Sequence, residues 1–399
     1  MIIGIDGNEA NVKEKVGISE YAFELLTQFS RFKILDLRFK IYLKDIPKQD
    51  MPQETENWIY KIIGPRKLWT QIALPVHLLK DCRLKGRQIS VFFSPTHYAP
   101  RFSPIPTVIS IMDLSYAYYP QMFKVSDLYQ LKHWTSYSVK NAKRIFTISQ
   151  ASKNDIIKYY NIEPEKIVVT YPGIKLKNQS IRQAQDKKSK IKMTNQNAKL
   201  REKYEIEGEY VLFVGTLQPR KNIEKLIEAF ARIKNPASRQ GGQKSRIEDK
   251  DLTLVIVGKK GWMYEDILEA PNKFGVGENV KFLGFVSDEN LDILYKNALF
   301  FVLPSLYEGF GLPVLEAMQN GCPVITSNVS SLPEAGGDAA LYVDPKSVDD
   351  IAEKMTLLMQ NEKLRKELIE KGYKQVKKFS WEKTAKETLT VLEEVVGNV

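Results

Sequence analysis

The chain is poor in the residues that build disulfide scaffolds and metal centres. It has two cysteines, Cys82 and Cys322, and three histidines among 399 residues. Two cysteines cannot form a disulfide framework, so we expect a chain that folds in a reducing compartment such as the cytosol. The cysteines and histidines also lack the spacing of a zinc site. The sequence therefore predicts neither a disulfide scaffold nor a bound metal.

Long apolar runs are missing as well. No stretch reaches the roughly 20 apolar residues that a helix needs to cross a bilayer. The first residues, MIIGIDGNEA, reach Asp6 after five positions, which is too soon for a signal peptide. We expect a buried strand at that place and a cytoplasmic location for the protein.

Acidic residues are outnumbered by basic ones, 48 against 59, which gives a net charge of +11. This excess favours an anionic partner: a membrane surface, a phosphorylated lipid or a nucleic acid. Alternatively, the lysines only solvate the surface, because many lie in two polar segments, residues 175–203 and 235–250. The sequence has no aromatic and basic pattern typical of RNA binding, so we do not expect a nucleic-acid partner.

Length and composition predict two α/β domains. A chain of 399 residues with 43% apolar residues is too long for one compact core and is typical of a globular protein. Strand and helix patterns alternate in both halves, starting with a strand at Ile2–Asp6 and again at Tyr210–Val214. This alternation predicts two Rossmann-like, doubly wound domains with parallel sheets. Ligands bind beyond the carboxyl ends of such strands, so we expect the two domains to face a central cleft.

The domain boundaries follow from changes in composition. We predict a first domain at residues 1–175, a polar linker at 176–203 and a second domain at 204–378. Residues 379–399 form a last amphipathic helix, which we expect to pack back on the first domain. Residues 175–203 are polar, basic and poor in aromatic residues, and their middle has no periodicity, as is typical of extended connections.

The segment from Asn297 to Asn320, NALFFVLPSLYEGFGLPVLEAMQN, carries the strongest functional pattern. An apolar strand leads to Glu308, a glycine-rich corner, and a helix that opens near Pro313 and contains Glu316. Glycines let a backbone approach a ligand, and a helix N-terminus presents N–H groups to an anion. The pattern therefore predicts a phosphate cradle with two carboxylates for sugar and ribose hydroxyls. Alternatively, it is an ordinary strand–turn–helix connection with a solvated Glu316.

The chain resembles glycosyltransferase family 4, a group of retaining enzymes with the GT-B fold. In the second half the matching stretches are VLFVGTLQPRKN, LVIVGKKGW, VKFLGFVSDENL, VLPSLYEGFGLPVLEAM and GCPVITSNVSSLPEAGGDAALYVDP. In the first half they are IGIDGNEA, VGISEY, FFSPTHYAP, VISIMDLSYAYYP, FTISQASKNDI and YPGI. The resemblance covers nearly the whole chain apart from the two polar segments.

The resemblance implies a role for each candidate residue. Glu308 lies by the transferred sugar, Glu316 accepts hydrogen bonds from the ribose, Lys221 and Arg220 neutralise the diphosphate, and Asp113 binds a sugar hydroxyl or the acceptor. The other implied donor-binding positions are Gly17, Thr216, Gly258, Phe285, Val286, Gly309, Phe310, Gly311 and Leu312. No metal or other cofactor is implied, because basic groups and helix dipoles stabilise the leaving phosphate in this family.

Two positions depart from the family pattern. Many members have an arginine directly after the glycine of the first strand in the second half, where this chain has Thr216, so the charge is expected from Arg220. Many also have a histidine before the aspartate that corresponds to Asp113, where this chain has Met112. His97 lies in a strand-end loop and does not occupy that position.

The resemblance implies retaining transfer of a hexose from a nucleotide diphosphate sugar to a glycan or a lipid-linked acceptor. The segments GTLQPRKN and SLYEGFGLP resemble the mannosyl-transferring branch, which favours mannose and GDP-mannose. A lipid-linked acceptor suits a basic first domain in peripheral contact with the inner membrane face. The alternatives are a non-catalytic protein of this fold that binds a sugar nucleotide or a glycan, a nucleic-acid-binding protein, and a nicotinamide enzyme. The last lacks G-x-G-x-x-G after its first strand.

Overall fold

The computed structural model describes residues 1–15, 17–83, 88–96, 98–175, 196–234 and 252–397, and only the backbone of Arg83. The chain divides into two compact units. The first consists of Met1–Gly173 and Phe379–Val399, and the second of Ile174–Lys378. His97, the polar insertion 235–250 and most of the predicted linker lie outside the described residues.

The first unit is a parallel seven-stranded sheet with helices on its faces. Its strands are β1 (Ile2–Asp6), β2 (Arg38–Leu43), β3 (Trp58–Ile62), β4 (Val91–Ser94), β5 (Thr107–Ser110), β6 (Arg144–Thr147) and β7 (Ile167–Val169). Its first helices are α1 (Ile18–Arg31), α2 (Leu74–Arg83), α3 (Ser115–Tyr118), α4 (Val125–Asn141) and α5 (Gln150–Tyr160). The strands follow the order β3-β2-β1-β4-β5-β6-β7.

The second unit is a parallel six-stranded sheet in the order β10-β9-β8-β11-β12-β13. Its strands are β8 (Glu209–Val214), β9 (Leu252–Val257), β10 (Val280–Gly284), β11 (Phe300–Leu303), β12 (Val324–Ser327) and β13 (Ala340–Val343). Its helices are α6 (residues 196–203), α7 (Ile223–Lys234), α8 (Glu265–Lys273), α9 (Asp288–Asn297), α10 (Leu312–Gln319), α11 (Leu332–Gly336), α12 (Val348–Gln360) and α13 (Glu362–Val376).

Both sheets are doubly wound, which confirms the predicted fold class. In each, the chain moves outward from a central strand, returns, and then moves outward on the other side. The central strands have apolar residues on both faces because helices cover both: all six residues of β9 are buried. The point where the direction reverses lies between β1 and β4 in the first unit and between β8 and β11 in the second.

The last helix, α14 (Trp381–Gly397), belongs to the first unit. The Trp381 ring packs edge-on against Tyr21 of α1, with 5.8 Å between the ring centroids. The Thr384 hydroxyl donates to the carbonyl of Tyr171 at 2.6 Å. The chain therefore returns to its first unit after completing the second. No helix in the described ranges is both long and apolar enough to cross a bilayer.

Part of the predicted linker has regular structure instead. Residues 196–203 are helical, and Leu200 in this helix is only 5% exposed. The helix belongs to the second unit, which begins at Ile174. The error arose because one buried leucine in a basic, polar stretch gives too little periodicity to indicate a helix.

Candidate functional site

Two loops meet at the reversal point of the second sheet. One follows β8 and leads through the 3-10 turn Pro219–Lys221 into α7, and the other follows β11 and leads into α10. β8 and β11 are neighbours in the sheet, so both loops leave the same edge at adjacent positions. Ligands of open α/β sheets bind at this place.

Three charged side chains meet between these loops. The Lys221 ammonium lies 2.5 Å from Glu308 Oε1, and an Arg220 guanidinium nitrogen lies 3.2 Å from Glu308 Oε2. Ser305 donates its hydroxyl to Oε1 at 2.7 Å. Arg220 also donates to the carbonyl of Tyr307 at 2.9 Å. Lys221, Arg220 and Glu308 are called the charged cluster below.

Two members of the charged cluster are buried, and its carboxylate is nevertheless ionised. Lys221 is 7% exposed and Glu308 is 6% exposed. Burial acts to raise the pKa of Glu308, but the charges of Lys221 and Arg220 and the hydrogen bonds to its oxygens outweigh it and lower the pKa from 4.5 to about 2. Glu308 is therefore an anion at neutral pH. One carboxylate between two cations leaves an excess of positive charge, which favours an anionic ligand.

Hydrogen bonds to backbone carbonyls hold the loop that carries the two cations. The N–H of Leu306 donates to the carbonyl of Arg220 at 2.8 Å. Asn222 donates its side-chain amide to the carbonyls of Pro304 at 3.0 Å and Pro345 at 2.7 Å. Asn222 has a φ of 59°, a conformation that asparagine tolerates better than most residues. The loop after β8 is thereby tied to the loop after β11.

Two serines in the turn after β12 hold the backbone of Glu308. The hydroxyls of Ser330 and Ser331 donate to its carbonyl oxygen at 2.6 Å and 2.8 Å. Ser330 also accepts a hydrogen bond from the Glu308 N–H at 3.3 Å. These contacts were not predicted, because no spacing rule connects the serines to a glutamate more than 20 residues earlier in the chain.

The glycine-rich corner turns the chain into α10. Gly311 is the N-cap residue of this helix and has a φ of 102°, a backbone angle that residues with a Cβ rarely adopt. A Cβ at Gly311 would also lie 2.8 Å from a methyl group of Leu332. The neighbouring Phe310 is buried, and Leu312 is half-buried at the first position of α10. The corner thus presents a helix N-terminus, with its partial positive charge, beside the charged cluster along the chain.

Glu316 lies in α10 and is half-buried. Its Oε2 accepts a hydrogen bond from the hydroxyl of Tyr295 at 3.1 Å. Burial and the charge of Glu316 raise the pKa of Tyr295 well above its ordinary value, so the phenol stays protonated and remains a donor. Tyr295 therefore orients a carboxylate that can accept hydrogen bonds from a ligand. This tyrosine was not among the predicted site residues.

The ends of β8, β9 and β10 place the other predicted residues along the same edge. A Cβ at Gly258 would lie 1.9 Å from the carbonyl oxygen of Gly215, so the two backbones approach closely only because Gly258 has no side chain. Thr216 is exposed. Phe285 is 62% exposed, with the Lys259 ammonium 4.7 Å from its ring centroid. Val286 is buried.

Gly17 and Asp113 lie in the first unit. Gly17 is the N-cap residue of α1, and its φ of 56° favours glycine. Asp113 accepts a hydrogen bond from the N–H of Ser115 at 2.9 Å in a turn that leads into α3. Met112 is 8% exposed, and its carbonyl accepts a hydrogen bond from Ser152 at 3.0 Å. Contacts of Gly17 and Asp113 with a donor or an acceptor stay predictions.

The structure therefore brings together the three members of the charged cluster and places Glu316 on the helix that follows. Their roles toward a ligand stay predictions. Across the residues that the structure describes, no group of three or more histidine, cysteine, aspartate or glutamate side chains is placed to hold a metal ion.

Comparisons with known proteins place the chain in a family. Residues 196–375 match the family model described as glycosyl transferases group 1, and residues 46–178 match the model described as glycosyltransferase family 4. The chain is 33% identical over 385 residues to O-antigen chain mannosyltransferase B of Escherichia coli, and the match covers 94% of each protein.

Two further matches cover 62% and 98% of the chain. The chain is 32% identical over 248 residues to the serotype-specific mannosyltransferase WbdA of Escherichia coli. This match covers 62% of this chain and 28% of that protein. It is also similar to the crystal structure of Anabaena HepE in complex with UDP and glucose, with a TM-score of 0.69, 16% identity, and coverage of 98% of this chain and 99% of that one. The structural likeness shows the fold. The chain belongs to glycosyltransferase family 4 and is a glycosyltransferase with the GT-B fold.

Proposed function

We propose that the protein transfers mannose from a nucleotide diphosphate sugar, GDP-mannose before others, to a glycan or a lipid-linked acceptor, with retention of the anomeric configuration. One observation carries the proposal: a buried charged cluster with excess positive charge lies at the reversal point of the second sheet. The chain in which it lies is 33% identical to a mannosyltransferase over 94% of its length.

The charged cluster binds the diphosphate of the donor in this proposal. Lysine has three N–H donors and arginine has five, so both side chains can contact Glu308 and phosphate oxygens together. The leaving diphosphate gains negative charge as the sugar departs, and cations fixed in a buried site stabilise this charge most. The backbone of Gly309, Phe310 and Gly311 and the N-terminus of α10 add N–H groups and a favourable dipole. No metal ion is required.

Glu308 has an electrostatic and positioning role in this proposal. Because its pKa is about 2, it carries no proton to donate at neutral pH. It fixes the two cations and lies beside the transferred sugar. Glu316, held by Tyr295, accepts hydrogen bonds from the ribose. The protein works in the cytoplasm in peripheral contact with an anionic membrane, where a lipid-linked acceptor is found.

A transfer assay in the presence of EDTA tests the proposal. GDP-mannose, UDP-glucose and ADP-glucose are offered as donors with mannose-terminated oligosaccharides as acceptors, and the product anomer is assigned by NMR. We expect turnover with GDP-mannose, an α-linked product and no gain on adding a divalent ion. Lys366→Ala is the matched control for Lys221→Ala, because Lys366 forms an exposed pair with Glu362 on α13.

Three results would change the proposal. Turnover with a different sugar nucleotide would identify that nucleotide as the donor in place of GDP-mannose. A β-linked product would contradict retention. Binding of a sugar nucleotide without transfer to any acceptor would favour the alternative of a non-catalytic protein of this fold.

A further inference from the structure

One helix of the first unit exposes a row of large apolar side chains. A π-helical turn, Trp69–Ala73, continues directly into α2. Three apolar side chains of this helix and one in the turn directly before it are exposed, and we call them the outer row: Leu68 at 56%, Ile72 at 50%, Val76 at 43% and Leu79 at 41%. Spacings of four and three residues place Ile72, Val76 and Leu79 on one side of the helix. No other helix in the described residues exposes more than two large apolar side chains.

The opposite side of the same helix is anchored to the sheet. Trp69, Leu74 and Leu78 are buried in a core cluster with Tyr42 and Phe92. Rotation of the helix to bury the outer row would therefore expose an indole ring and two leucines, so the outward direction of the row is fixed by packing.

A buried carboxylate strengthens this anchor. Asp81 is 2% exposed and accepts hydrogen bonds from Lys61 at 2.6 Å and from the Tyr42 hydroxyl at 2.5 Å. The Lys40 ammonium lies 2.8 Å from Asp81 Oδ2, the oxygen that also accepts the hydrogen bond from Tyr42. Three residues of β2 and β3 thus hold one residue of α2, and breaking such a buried ion pair is costly.

The backbone at the start of the row is strained without a gain from burial. Leu68 has a φ of 51°, which is unfavourable for a bulky residue with a Cβ. Its side chain is the most exposed of the outer row. The folded chain by itself therefore derives little benefit from a leucine at this position, which points to a contact with another surface.

The exposed face around the outer row is positive. Between Gly64 and Cys82 the sequence has one acidic residue, Asp81, which is buried and paired with two lysines. Lys67 and Lys80 flank the row and are exposed. Within the described ranges, neither has an ion-pair partner.

We propose that this face of the first unit docks on an anionic lipid bilayer. The outer row enters the boundary between headgroups and acyl chains, and Lys67 and Lys80 contact lipid phosphates. A second copy of the chain is a poorer occupant, because pairing this face with itself would bring the lysines of both copies together, and Asp45, the exposed carboxylate that contacts this segment, is already paired with Arg66. The inference rests on the proposed function, which places the acceptor on a lipid, and it names the surface that reaches that lipid.

Vesicle flotation of the full-length protein tests the inference. Vesicles of phosphatidylcholine alone are compared with vesicles that also contain phosphatidylglycerol, at low and high salt. We expect binding only to the anionic vesicles and a loss of binding with salt. Lys67→Gln with Lys80→Gln should weaken it roughly 30-fold, since each lysine near such a surface contributes about one factor of five.

Ile72→Gln with Val76→Gln should also abolish flotation while leaving the midpoint of thermal unfolding unchanged, because both side chains are already exposed in the folded chain. Leu357→Gln on α12 is the matched control, being an exposed leucine of the second unit at 37%. It should leave flotation unchanged.

Transfer to a water-soluble acceptor, measured on the same samples, separates this inference from the proposed function. Transfer without binding to anionic vesicles would overturn the lipid docking alone. Flotation that the outer-row variants leave intact would overturn it too. A dimer that Ile72→Gln with Val76→Gln dissociates, without any vesicle binding, would assign the face to a second copy instead. Vesicle binding that these variants abolish would support the docking even if no transfer were detected.

Discussion

The two sheets have the same strand order at their reversal points, yet each places a buried carboxylate there in a different electrostatic environment. Asp6, at the end of β1, is 6% exposed and accepts hydrogen bonds from the backbone and side chain of Asn8 at 3.1 Å and 2.7 Å. Glu308, after β11, is equally buried but lies between Lys221 and Arg220.

The two pKa values show what the neighbours do. Burial raises the pKa of Asp6 from 3.8 to about 6, and the hydrogen bonds from Asn8 offset only part of it. Burial has the same tendency at Glu308, but two cations reverse it, and the pKa falls to about 2. Since one fold gives both results, the cations supplied by the loop after β8 account for the difference between the two pKa values. The fold alone does not distinguish the two edges, whereas the excess of positive charge favours an anionic ligand at the edge that contains Glu308.

The largest effect is expected from Lys221→Ala, which removes the nearer cation of Glu308. Activity should fall about 100- to 1,000-fold, because a fixed charge aimed at the leaving diphosphate is lost. The free energy of unfolding should fall by up to about 3–5 kcal/mol, because a buried carboxylate loses the nearer of its two cations. Steady-state kinetics and chemical denaturation measure the two effects.

A double variant separates these two effects. Lys221→Met with Glu308→Leu removes both charges, so it should recover much of the stability that Lys221→Ala loses. It should recover none of the activity. Recovery of activity together with stability would show that the cluster is only structural.

Glu308→Gln should change the pH dependence of stability. The folded-state pKa lies below the unfolded value of 4.5, so the stabilisation by this carboxylate is complete above pH 4.5 and is lost as the pH falls through 2. It amounts to about 3 kcal/mol. The unfolding free energies of wild type and variant should thus differ at pH 7 and converge toward pH 2; a constant difference over this range would contradict the assigned charge state.

Asp6→Asn should change the pH dependence of the free energy of unfolding in the opposite direction. The folded-state pKa of about 6 lies above the unfolded value of 3.8, so the wild type loses stability as the pH rises through 6. The variant lacks this loss and should gain up to about 3 kcal/mol relative to the wild type between pH 3.5 and pH 8. Thermal unfolding at both pH values measures it. If the variant were no more stable than the wild type at pH 8, the buried charge of Asp6 would not be destabilising, which would contradict the contrast drawn with Glu308.

The smallest effect is expected from Tyr295→Phe, which removes the hydrogen bond to Glu316 without touching the charged cluster. Nucleotide affinity should fall a fewfold, since one such bond contributes about 1 kcal/mol. Glu316→Ala should weaken it about tenfold or more, and the two changes together should add little beyond Glu316→Ala. Calorimetric titration of the three variants with GDP checks this, and additive losses would separate Tyr295 from Glu316.

The sequence predicted the parts of the fold that rest on local signals. β1 has the predicted bounds, and β8 begins one residue before the predicted strand Tyr210–Val214, because each is a short apolar run next to polar or glycine residues. β2 was not predicted: its sequence, RFKIYL, places Lys40 on a strand, where the charge is compensated by Asp81 of α2. Only the folded chain shows that pair. That the two sheets face a central cleft stays a prediction.

The residues of the site can also be divided into those that local motifs indicate and those that only the folded chain brings together. Glu308, Glu316 and Lys221 stand in motifs that can be recognised along the chain, so the sequence could single them out, and their roles toward a ligand stay predictions. Ser330 and Ser331 were missed because their contact with Glu308 depends on how the turn after β12 packs beside the loop after β11. Contacts between distant segments leave no periodic signal in a single sequence.

A diphosphate site at the charged cluster is tested most directly by comparing the affinities of GDP and GMP in EDTA by calorimetry, for the wild type and for Lys221→Ala. We expect the wild type to bind GDP clearly more tightly than GMP, because the second phosphate contacts the charged cluster. We expect Lys221→Ala to lose most of this difference and to keep its affinity for GMP. Equal affinities in the wild type, or a difference that survives in Lys221→Ala, would contradict a diphosphate site at the charged cluster.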